Sequence, residues 1–293
     1  MGSQPRQKSR QLMSRRNFLL GAGGALLAGG ANAGWMRGAE PWWFEVTEKH
    51  VPLMGVRKPL RILHLSDFHA SPAVSFELIS KAIDQALELS FDLVLLTGDF
   101  ITWDMPDRER YAGLLSRLSQ RAPTFACLGN HDGGSWAGSS HGYAKPTEVV
   151  KLLAESGITL LINESAEFAW HDNTIRLIGL GDWWGDSFSP EEAFGQRLDA
   201  SFTLVLCHNP DAKRRLFDYD WQVMFCGHTH GGQLVIPVLA WRPFLPVRDK
   251  SFPEGLRAFG PSGDKWIHIT RGVGNLHGLR WNCRPEISVV LLG

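Results

Sequence analysis

Acidic, amide and histidine side chains cluster directly after five short apolar runs of this sequence. In chain order, the clusters are Ser66-Asp67-Phe68-His69, Thr97-Gly98-Asp99, Gly129-Asn130-His131-Asp132, Cys207-His208 and Gly227-His228-Thr229-His230. Because ligands of α/β proteins bind beyond the carboxyl ends of the strands, we expect these five loops to meet.

The donor atoms in these loops suit metal ions. With His131 and Asp132 left aside, the loops offer two carboxylates, one amide oxygen and four imidazoles. Such a mixed oxygen and nitrogen set fits borderline divalent metals and is too large for one tetrahedral ion. The sequence therefore predicts two ions, which at a separation of about 3.5–4 Å need a bridging carboxylate between them. Asp99 is the candidate for that bridge.

Each of these residues also has an ordinary structural explanation when it is taken alone. His208 could be a hydrogen-bonded loop histidine, and Asp67 or Asp99 could cap the segment that follows it. The joint occurrence of the clusters at five strand ends favours the metal site. His64 lies inside the first predicted strand and is interpreted as a satisfied core histidine. The remaining histidines lack partners at ligand spacing: His50, His141, His171, His268 and His277.

The elements that must position the clusters alternate between strands and helices in the first half of the chain. Apolar spacing predicts helices at 75–89, 108–118 and 147–154, and strands at 60–65, 91–96 and 124–128. In the second half, 167–170 and 174–180 flank a polar turn and predict a hairpin. Further strands are predicted at 202–206, 223–226, 233–236, 266–269 and 288–292. This order favours an α/β sandwich with mixed sheets over a wholly parallel sheet.

The charge balance excludes a generic nucleic-acid binder. The chain has 293 residues with 30 Lys+Arg and 30 Asp+Glu, so its formal net charge is zero. Residues 1–33 hold five basic residues and no acid, which leaves 25 − 30 = −5 for the rest. A body of that sign needs local positive charge to act on a phosphate ester, and metal ions supply it.

The first 33 residues are similar to a bacterial twin-arginine signal. Arg15-Arg16 precedes an apolar run at 18–28, and Ala31-Asn32-Ala33 offers a small-residue cleavage site. The run is short and rich in glycine for a membrane span, so cleavage and loose anchoring both stay open. We therefore predict a signal or anchor segment at 1–33, one domain at 34–293, and the twin-arginine export machinery as a partner. The expected location is the periplasm or the periplasmic face of the inner membrane, with the cytoplasm as the alternative.

Cysteine and tryptophan usage adds two smaller expectations. The four cysteines form no CxxC pair and are expected to be buried thiols. Twelve tryptophans accompany three tyrosines, and most of them are expected to pack in the interior. Two aromatic segments, 42–44 and 241–246, could instead contact a membrane surface.

In order and spacing, the five clusters resemble the motifs of calcineurin-like metallophosphoesterases. The resemblance covers residues 60–230, and with the twin-arginine start and Thr270-Arg271-Gly272-Val273-Gly274 the chain is similar to the YaeI-type bacterial phosphodiesterases of that family. It implies an α/β fold, a four-layer sandwich of two mixed β-sheets flanked by helices. The residue three places after Asp99 is Thr102 and not tyrosine, which counts against the purple acid phosphatase branch.

The resemblance also implies how the site is divided. One metal is assigned to Asp67, His69 and His230, the other to Asn130, His208 and His228, with Asp99 on both. A hydroxide that bridges the two divalent ions (Mn, Fe or Zn) would attack phosphorus. His131 is left without a metal, so it is assigned to assist the leaving group, and Asp132 to orient or charge it.

Three functions follow from this assignment. The first is hydrolysis of a phosphodiester or pyrophosphate bond, in a substrate that could be linked to a lipid. The second is a UDP-2,3-diacylglucosamine pyrophosphatase of lipid A synthesis, against which an exported location would count. The third is a metal-retaining binding module without turnover, and the presence of every residue of the pattern counts against it.

Overall fold

A computed structural model of the protein describes residues 30, 32–196, 198–261 and 263–293. The predicted signal segment at 1–33 lies almost wholly outside these residues, so it stays a prediction. Within the described ranges, no helix has the length and apolar character that a membrane crossing needs.

The described residues form two six-stranded sheets. The strands of the first sheet are Glu45–Val51 (β1), Leu60–Leu65 (β2), Leu93–Thr97 (β3), Thr124–Cys127 (β4), Thr159–Leu160 (β5) and Glu286–Leu292 (β12). Those of the second are Glu164–Trp170 (β6), Asn173–Gly179 (β7), Phe202–Leu206 (β8), Val223–Cys226 (β9), Gly255–Phe259 (β10) and Lys265–Ile269 (β11). The spatial orders are β1-β12-β2-β3-β4-β5 and β10-β11-β9-β8-β7-β6.

Both sheets mix parallel and antiparallel pairs. In the first sheet, β12 is antiparallel to β2, and the other neighbours are parallel. In the second sheet, β6 with β7 and β10 with β11 are antiparallel, and β8 and β9 are parallel to their neighbours in the middle. The predicted hairpin is the pair β6 and β7. The prediction of a sandwich with mixed sheets is confirmed.

After residue 40, the described chain forms five α-helices, and side chains cap the start of the first two. The helices are Phe76–Leu87 (α1), Arg108–Ser119 (α2), Ser135–Ser139 (α3), Thr147–Glu155 (α4) and Pro190–Gly195 (α5). The Ser75 hydroxyl accepts a hydrogen bond from the Leu78 amide at the start of α1, and the Asp107 carboxylate accepts one from the Arg110 amide at the start of α2. The buried face of α1 packs on the first sheet through Leu78, Ile79, Ala82, Ile83 and Ala86.

Alternate residues of the central strands point into different cores. On β3, Val94 and Leu96 join the core under the helices, whereas Leu93 and Leu95 join the core between the sheets. A third core on the outer face of the second sheet contains Val205, Trp221 and Met224 and packs near α5. The two sheets flanked by helices therefore make the four layers expected, and β3 is buried throughout because both of its faces are covered.

The predicted strand at 233–236 is wrong. The segment forms only isolated bridges, Leu234 with Trp281 and Ile236 with Trp241. Its entry is turned by Gly231, Gly232 and Gln233, which all have positive φ, and Pro237 follows it directly. The chain therefore folds back on itself instead of joining a sheet. The four cysteines are buried free thiols, as predicted.

Candidate metal centre

The seven predicted ligands lie in loops at the carboxyl ends of five central strands. Loops after β2, β3 and β4 in the first sheet carry Asp67, His69, Asp99 and Asn130, and loops after β8 and β9 in the second sheet carry His208, His228 and His230. All seven side chains are buried. The centre therefore spans neighbouring edges of the two sheets.

Backbone conformation sets the direction of several ligands. The residues Asp67, His69, Asp99, His228 and His230 have φ between 49° and 69°. This left-handed region is uncommon for residues other than glycine, and such strain is concentrated at functional sites. Main-chain hydrogen bonds hold it in place: the Asp67 amide donates to the Gly98 carbonyl, and the His69 amide donates to the Asp99 carbonyl, both at 2.9 Å.

Two glycines in the ligand loops leave no room for a side chain. A Cβ at Gly98 would overlap the backbone of Gly129, and one at Gly227 would overlap the Asp67 carboxylate. Gly98 also has φ +84°. The close packing of the loops therefore depends on glycine at both positions.

The first group of donor atoms consists of Asp67, His69 and His230. The Nε2 atoms of His69 and His230 are 3.1 Å apart, and His230 Nε2 lies 3.3 Å from Asp67 Oδ1. His69 Nε2 is also 3.4 Å from Asp99 Oδ2. The three ligand atoms lie within 4.8 Å of one another, so one ion could contact all of them.

The second group consists of Asp99, His208 and His228. His208 Nε2 is 3.1 Å from Asp99 Oδ2, and His228 Nδ1 is 3.3 Å from His208 Nε2. Asp99 thus borders both groups, which is the position predicted for a bridging carboxylate. The Oδ1 atom of Asn130 is buried and has no hydrogen-bond partner in the described residues. An orphaned acceptor beside this set fits a metal ligand.

Carbonyl and hydroxyl oxygens fix the outward nitrogens of the histidine rings. His208 Nδ1 donates to the Thr97 carbonyl at 2.6 Å, and this leaves Nε2 free to face the centre. His228 reverses the arrangement, with Nε2 3.3 Å from the Pro246 carbonyl and Nδ1 facing inward. His69 Nδ1 lies 3.3 Å from the Thr102 hydroxyl. Such partners set the tautomer and orientation of metal-binding imidazoles.

Burial and charge divide the centre into neutral and charged groups. Burial lowers the pKa of both His69 and His228 to about 3 and so keeps these imidazoles neutral, as metal ligands must be. Burial also opposes a charge on His208, but the Asp99 and Asp67 carboxylates raise its pKa to about 10. Burial opposes ionisation of Asp99 too, yet His208 and His131 hold its pKa well below the usual value. The site therefore favours positive charge beside Asp99.

His131 lies at the edge of both groups. A nitrogen of its ring lies within 4.8 Å of ligand atoms of His69 and Asp99. Its Nδ1 donates to the Thr102 carbonyl at 2.7 Å, and its ring contacts Trp136 at a centroid distance of 4.7 Å. Nε2 is thus the nitrogen available to a substrate, as the predicted role requires.

Asp132 does not orient or charge His131, contrary to the prediction. Its carboxylate accepts hydrogen bonds from the backbone amides of Asp99, Phe100 and Gly129 at 2.7–2.8 Å. The acid is needed there because these amides lie in buried loops without strand partners. Asp132 therefore positions the loop that carries Asp99, and the Thr102 carbonyl is the group that orients His131. A backbone carbonyl leaves no signal in a sequence.

A cavity of about 440 Å³ opens directly onto Asp99, Asn130, His131, His228 and His230. Much of its wall is apolar, from residues that the sequence analysis did not assign to the site: Trp103, Trp136, Trp184, Leu234, Phe244, Pro246, Leu276 and Leu279. His277, which was set aside for lack of ligand spacing, also lines it. A larger groove of about 510 Å³ beside Met105 is lined by none of the predicted ligands. Of these two cavities, the one at the metal centre is the candidate substrate site.

Two mixed sheets that share carboxylate, amide and imidazole donors at their strand ends are typical of a metal-dependent hydrolase. Residues 60–232 match the family model described as calcineurin-like phosphoesterase, and the chain belongs to that family. The family and the donor set together imply divalent metal ions.

Relatives of known name support an enzyme. The chain is 41% identical to phosphodiesterase YaeI of Escherichia coli, over 96% of this chain and 100% of the relative. It is 32% identical to the uncharacterized metallophosphoesterase YkuE of Bacillus subtilis, over 96% and 98% of the two chains. It is 27% identical to the UDP-2,3-diacylglucosamine pyrophosphatase LpxG of Chlamydia trachomatis, over 79% and 83%. The protein is a phosphoric ester hydrolase, so the reading as a binding module without turnover is set aside.

Proposed function

We propose that this hydrolase cleaves a phosphodiester with two divalent ions and that His131 protonates the leaving oxygen. The observation that carries the proposal is the position of Asp99, which borders both groups of donor atoms. The identity with a relative named a phosphodiesterase supports a diester as the substrate.

The proposed residues divide the work. One ion would be held by Asp67, His69, His230 and Asp99. The other would be held by Asn130, His208, His228 and the same Asp99. When bound, two such ions lower the pKa of water enough for nucleophilic attack near neutral pH and neutralise the phosphoryl oxygens. Asp132 keeps Asp99 in place through the backbone amides of its loop. His131, held through Nδ1, presents Nε2 for proton transfer to the leaving alcohol.

The proposed ions are transition metals, Mn, Fe or Zn. Four imidazoles among seven ligands disfavour calcium and magnesium, which take oxygen ligands. Elemental analysis after mild purification should give about two such ions per chain. Fewer than one ion per chain at full activity would contradict the proposal.

Pyrophosphate cleavage of a nucleotide-linked lipid is the second candidate. The relative named as a UDP-2,3-diacylglucosamine pyrophosphatase and the apolar cavity wall support it. The lining residues of the cavity, all within the described chain, include no lysine or arginine that could bind a second phosphate. The diester is therefore the preferred substrate.

We also propose export by the twin-arginine route to the periplasm or the periplasmic face of the inner membrane. Arg15-Arg16 before the apolar run at 18–28 supports this location. Replacing both arginines by lysine should leave the protein in the cytoplasm, as cell fractionation would show. An unchanged periplasmic fraction would remove the proposal and favour the cytoplasmic alternative.

Turnover of three substrates by the metal-reconstituted enzyme tests the proposed reaction. The substrates are a diester, a monoester and a UDP-linked lipid, each tested with Mn, Fe and Zn. The proposal expects the diester to have the highest kcat/KM. A higher value for the monoester or for the UDP-linked lipid would contradict it.

A further inference from the structure

The wall of the substrate cavity offers apolar contacts and few polar groups for recognition. Outside the metal centre its lining consists largely of tryptophan, leucine, phenylalanine and proline. Of the polar lining residues, Gln233 is already engaged: its amide nitrogen donates to the Leu276 carbonyl at 2.6 Å, and its oxygen accepts from the Leu276 amide at 3.1 Å. The Thr229 hydroxyl accepts from the Gly231 amide. This wall suits a hydrocarbon chain better than the hydrogen-bonding edge of a nucleobase.

An exposed apolar loop continues this wall out to the surface. We call residues 237–245 the apolar loop. Val238, Leu239 and Trp241 are exposed in it, Leu239 by 73%, and Phe244 is 66% exposed while also lining the cavity. The base of the loop is fixed, since Arg242 binds both the Gly231 carbonyl and the Glu254 carboxylate. A fixed loop that exposes large apolar side chains is typical of an interaction surface.

Charge around the apolar loop favours an anionic partner. Residues 233–248 contain no acid, and the exposed Arg248 and Lys250 flank Asp249, whose carboxylate is paired with Lys213 at 3.1 Å. Basic residues beside exposed aromatic and aliphatic side chains match the interface of a bilayer with anionic headgroups.

Residues 35–43, near the amino terminus, adjoin the start of the apolar loop through Asn282. Asn282 donates to the Val235 carbonyl just before the apolar loop, and it also lines a surface pocket with Trp35 and Trp43. Both tryptophans are exposed, by 44% and 53%. The chain that precedes Trp35 contains the apolar run at 18–28. Two surfaces with exposed apolar side chains thus adjoin each other at Asn282, and a lipid surface would cover them together.

We propose that the enzyme rests on a bilayer through the apolar loop and cleaves a phosphodiester whose acyl chain occupies the cavity. The inference rests on the proposed phosphodiesterase function. In the reaction, a water oxygen forms a bond to phosphorus and the ester P–O bond beside His131 breaks. One water proton goes to the leaving oxygen and the other to solvent, so the products are an alcohol and a phosphomonoester.

A chain-length series tests the substrate class. The full-length protein is reconstituted with metal and given 4-nitrophenyl phosphodiesters whose second substituent is methyl, hexyl or dodecyl, below their micelle concentrations. We expect kcat/KM to rise by about threefold for each methylene that enters the cavity. The same value for methyl and dodecyl diesters would overturn the inference and leave the phosphodiesterase intact. No hydrolysis of the methyl diester with any metal would overturn the proposed function itself.

Matched variants locate the effect. Leu279→Asn in the cavity wall and Phe244→Ser in the apolar loop should each lower the ratio of dodecyl to methyl kcat/KM by more than about tenfold. Phe217→Ser is the control, because Phe217 is also exposed but lies outside the cavity. An equal ratio in wild type and both test variants would overturn the inference, as would a UDP-sugar hydrolysed with a higher kcat/KM than the dodecyl diester.

Fluorescence quenching tests the lipid surface without turnover. Vesicles of phosphatidylcholine and phosphatidylglycerol with brominated acyl chains should quench tryptophan emission of the full-length protein. The quenching should fall in Trp241→Phe and stay unchanged in Trp170→Phe, whose tryptophan lies on β6 in the second sheet. Equal quenching in both variants would overturn the inference. A dimer in light scattering that dissociates on Leu239→Ser would also overturn it, because a second copy would then cover the loop.

Discussion

Two groups of buried histidines lie in this protein, and they differ in the carboxylates beside them. At the metal centre, His208 is 3.1 Å from Asp99. In the core between the sheets, His64 on β2 and His268 on β11 face each other with Nδ1 atoms 2.9 Å apart, and His64 Nε2 meets the Thr97 hydroxyl. No metal-compatible group in the described residues includes this pair.

At His208, the neighbouring carboxylates reverse the effect of burial on the pKa. Burial lowers the pKa of His268 to about 4 and that of His64 well below its usual value, so this pair stays neutral and packs as core. Burial acts on His208 as well, but Asp99 and Asp67 overcome it and raise its pKa to about 10. Buried imidazoles alone are therefore a structural feature, and carboxylates within about 3–4 Å make them a cation site.

Removing the shared carboxylate should have the largest effect. Asp99→Asn keeps the shape of the side chain but removes the charge that both donor groups share, so bound metal should fall below one ion per chain. We expect kcat/KM for a diester to fall by more than about a thousandfold. Asp104→Asn is the control, since Asp104 is an exposed aspartate on the same loop. Full metal content with wild-type turnover in Asp99→Asn would contradict the bridging role.

Removing the free imidazole should be less severe. His131→Ala should lower kcat by about a hundredfold to a thousandfold with the metal content unchanged, because proton transfer to the leaving oxygen is lost. The loss should be smaller for a 4-nitrophenol leaving group, which needs no proton, than for an alkyl alcohol. His141→Ala, at an exposed histidine, should behave as wild type. Equal losses for both leaving groups would exclude His131 as the acid.

Metal removal should lower stability through the metal centre and not through the His64–His268 pair. A free ion concentration of about a hundred times the Kd adds about 2.7 kcal/mol to the free energy of unfolding. Removing the ions with a chelator should therefore lower Tm by about 5–10 °C. The shift should disappear in Asp99→Asn and persist in His268→Leu. Identical melting curves with and without chelator would show that the fold does not use the ions.

The smallest expected effect is a pH dependence of stability that comes from the buried pair His64 and His268. Because the pKa of His268 in the fold is about 4, below the ordinary 6.5, the unfolded chain binds more protons between these values. The contribution of neutral His268 to the free energy of unfolding is complete above about pH 6.5 and is lost as the pH falls toward 4. The free energy of unfolding is measured in urea at pH 7.5 and at pH 5.0, with the metal removed by a chelator. Its decrease between the two pH values should be smaller by about 1–2 kcal/mol in His268→Leu than in wild type. An equal loss would place the acid sensitivity elsewhere.

The sequence predicts the metal centre well because its residues occur in order at strand ends. Apolar runs of four to six residues place the strands, and a polar cluster after each one can only lie at the sheet edge. The alternation of Val94 and Leu96 with Leu93 and Leu95 likewise follows from the period of a strand.

The cavity wall could not be predicted, because it is assembled from distant segments. Trp136 lies on α3, Trp184 and Leu279 lie in two separate loops, and nothing local distinguishes them from packing residues. The segment at 233–236 has the composition of a strand, and positive φ at Gly231, Gly232 and Gln233 diverts it. Asp132 shows the same limit, since an acid beside a histidine gives no sign that its partners are amides 32 and 33 residues away.

The donor set draws ligands from loops of both sheets, so a bound pair of ions would fasten two layers that otherwise meet mainly through apolar side chains. Misalignment of the layers by a fraction of an ångström would spread the donors before it unfolded the sandwich. Truncation of a side chain in the core between the sheets, such as Leu206→Ala, should therefore weaken metal binding while the overall fold stays intact. Metal affinity in this molecule would then serve as a gauge of how well its halves fit.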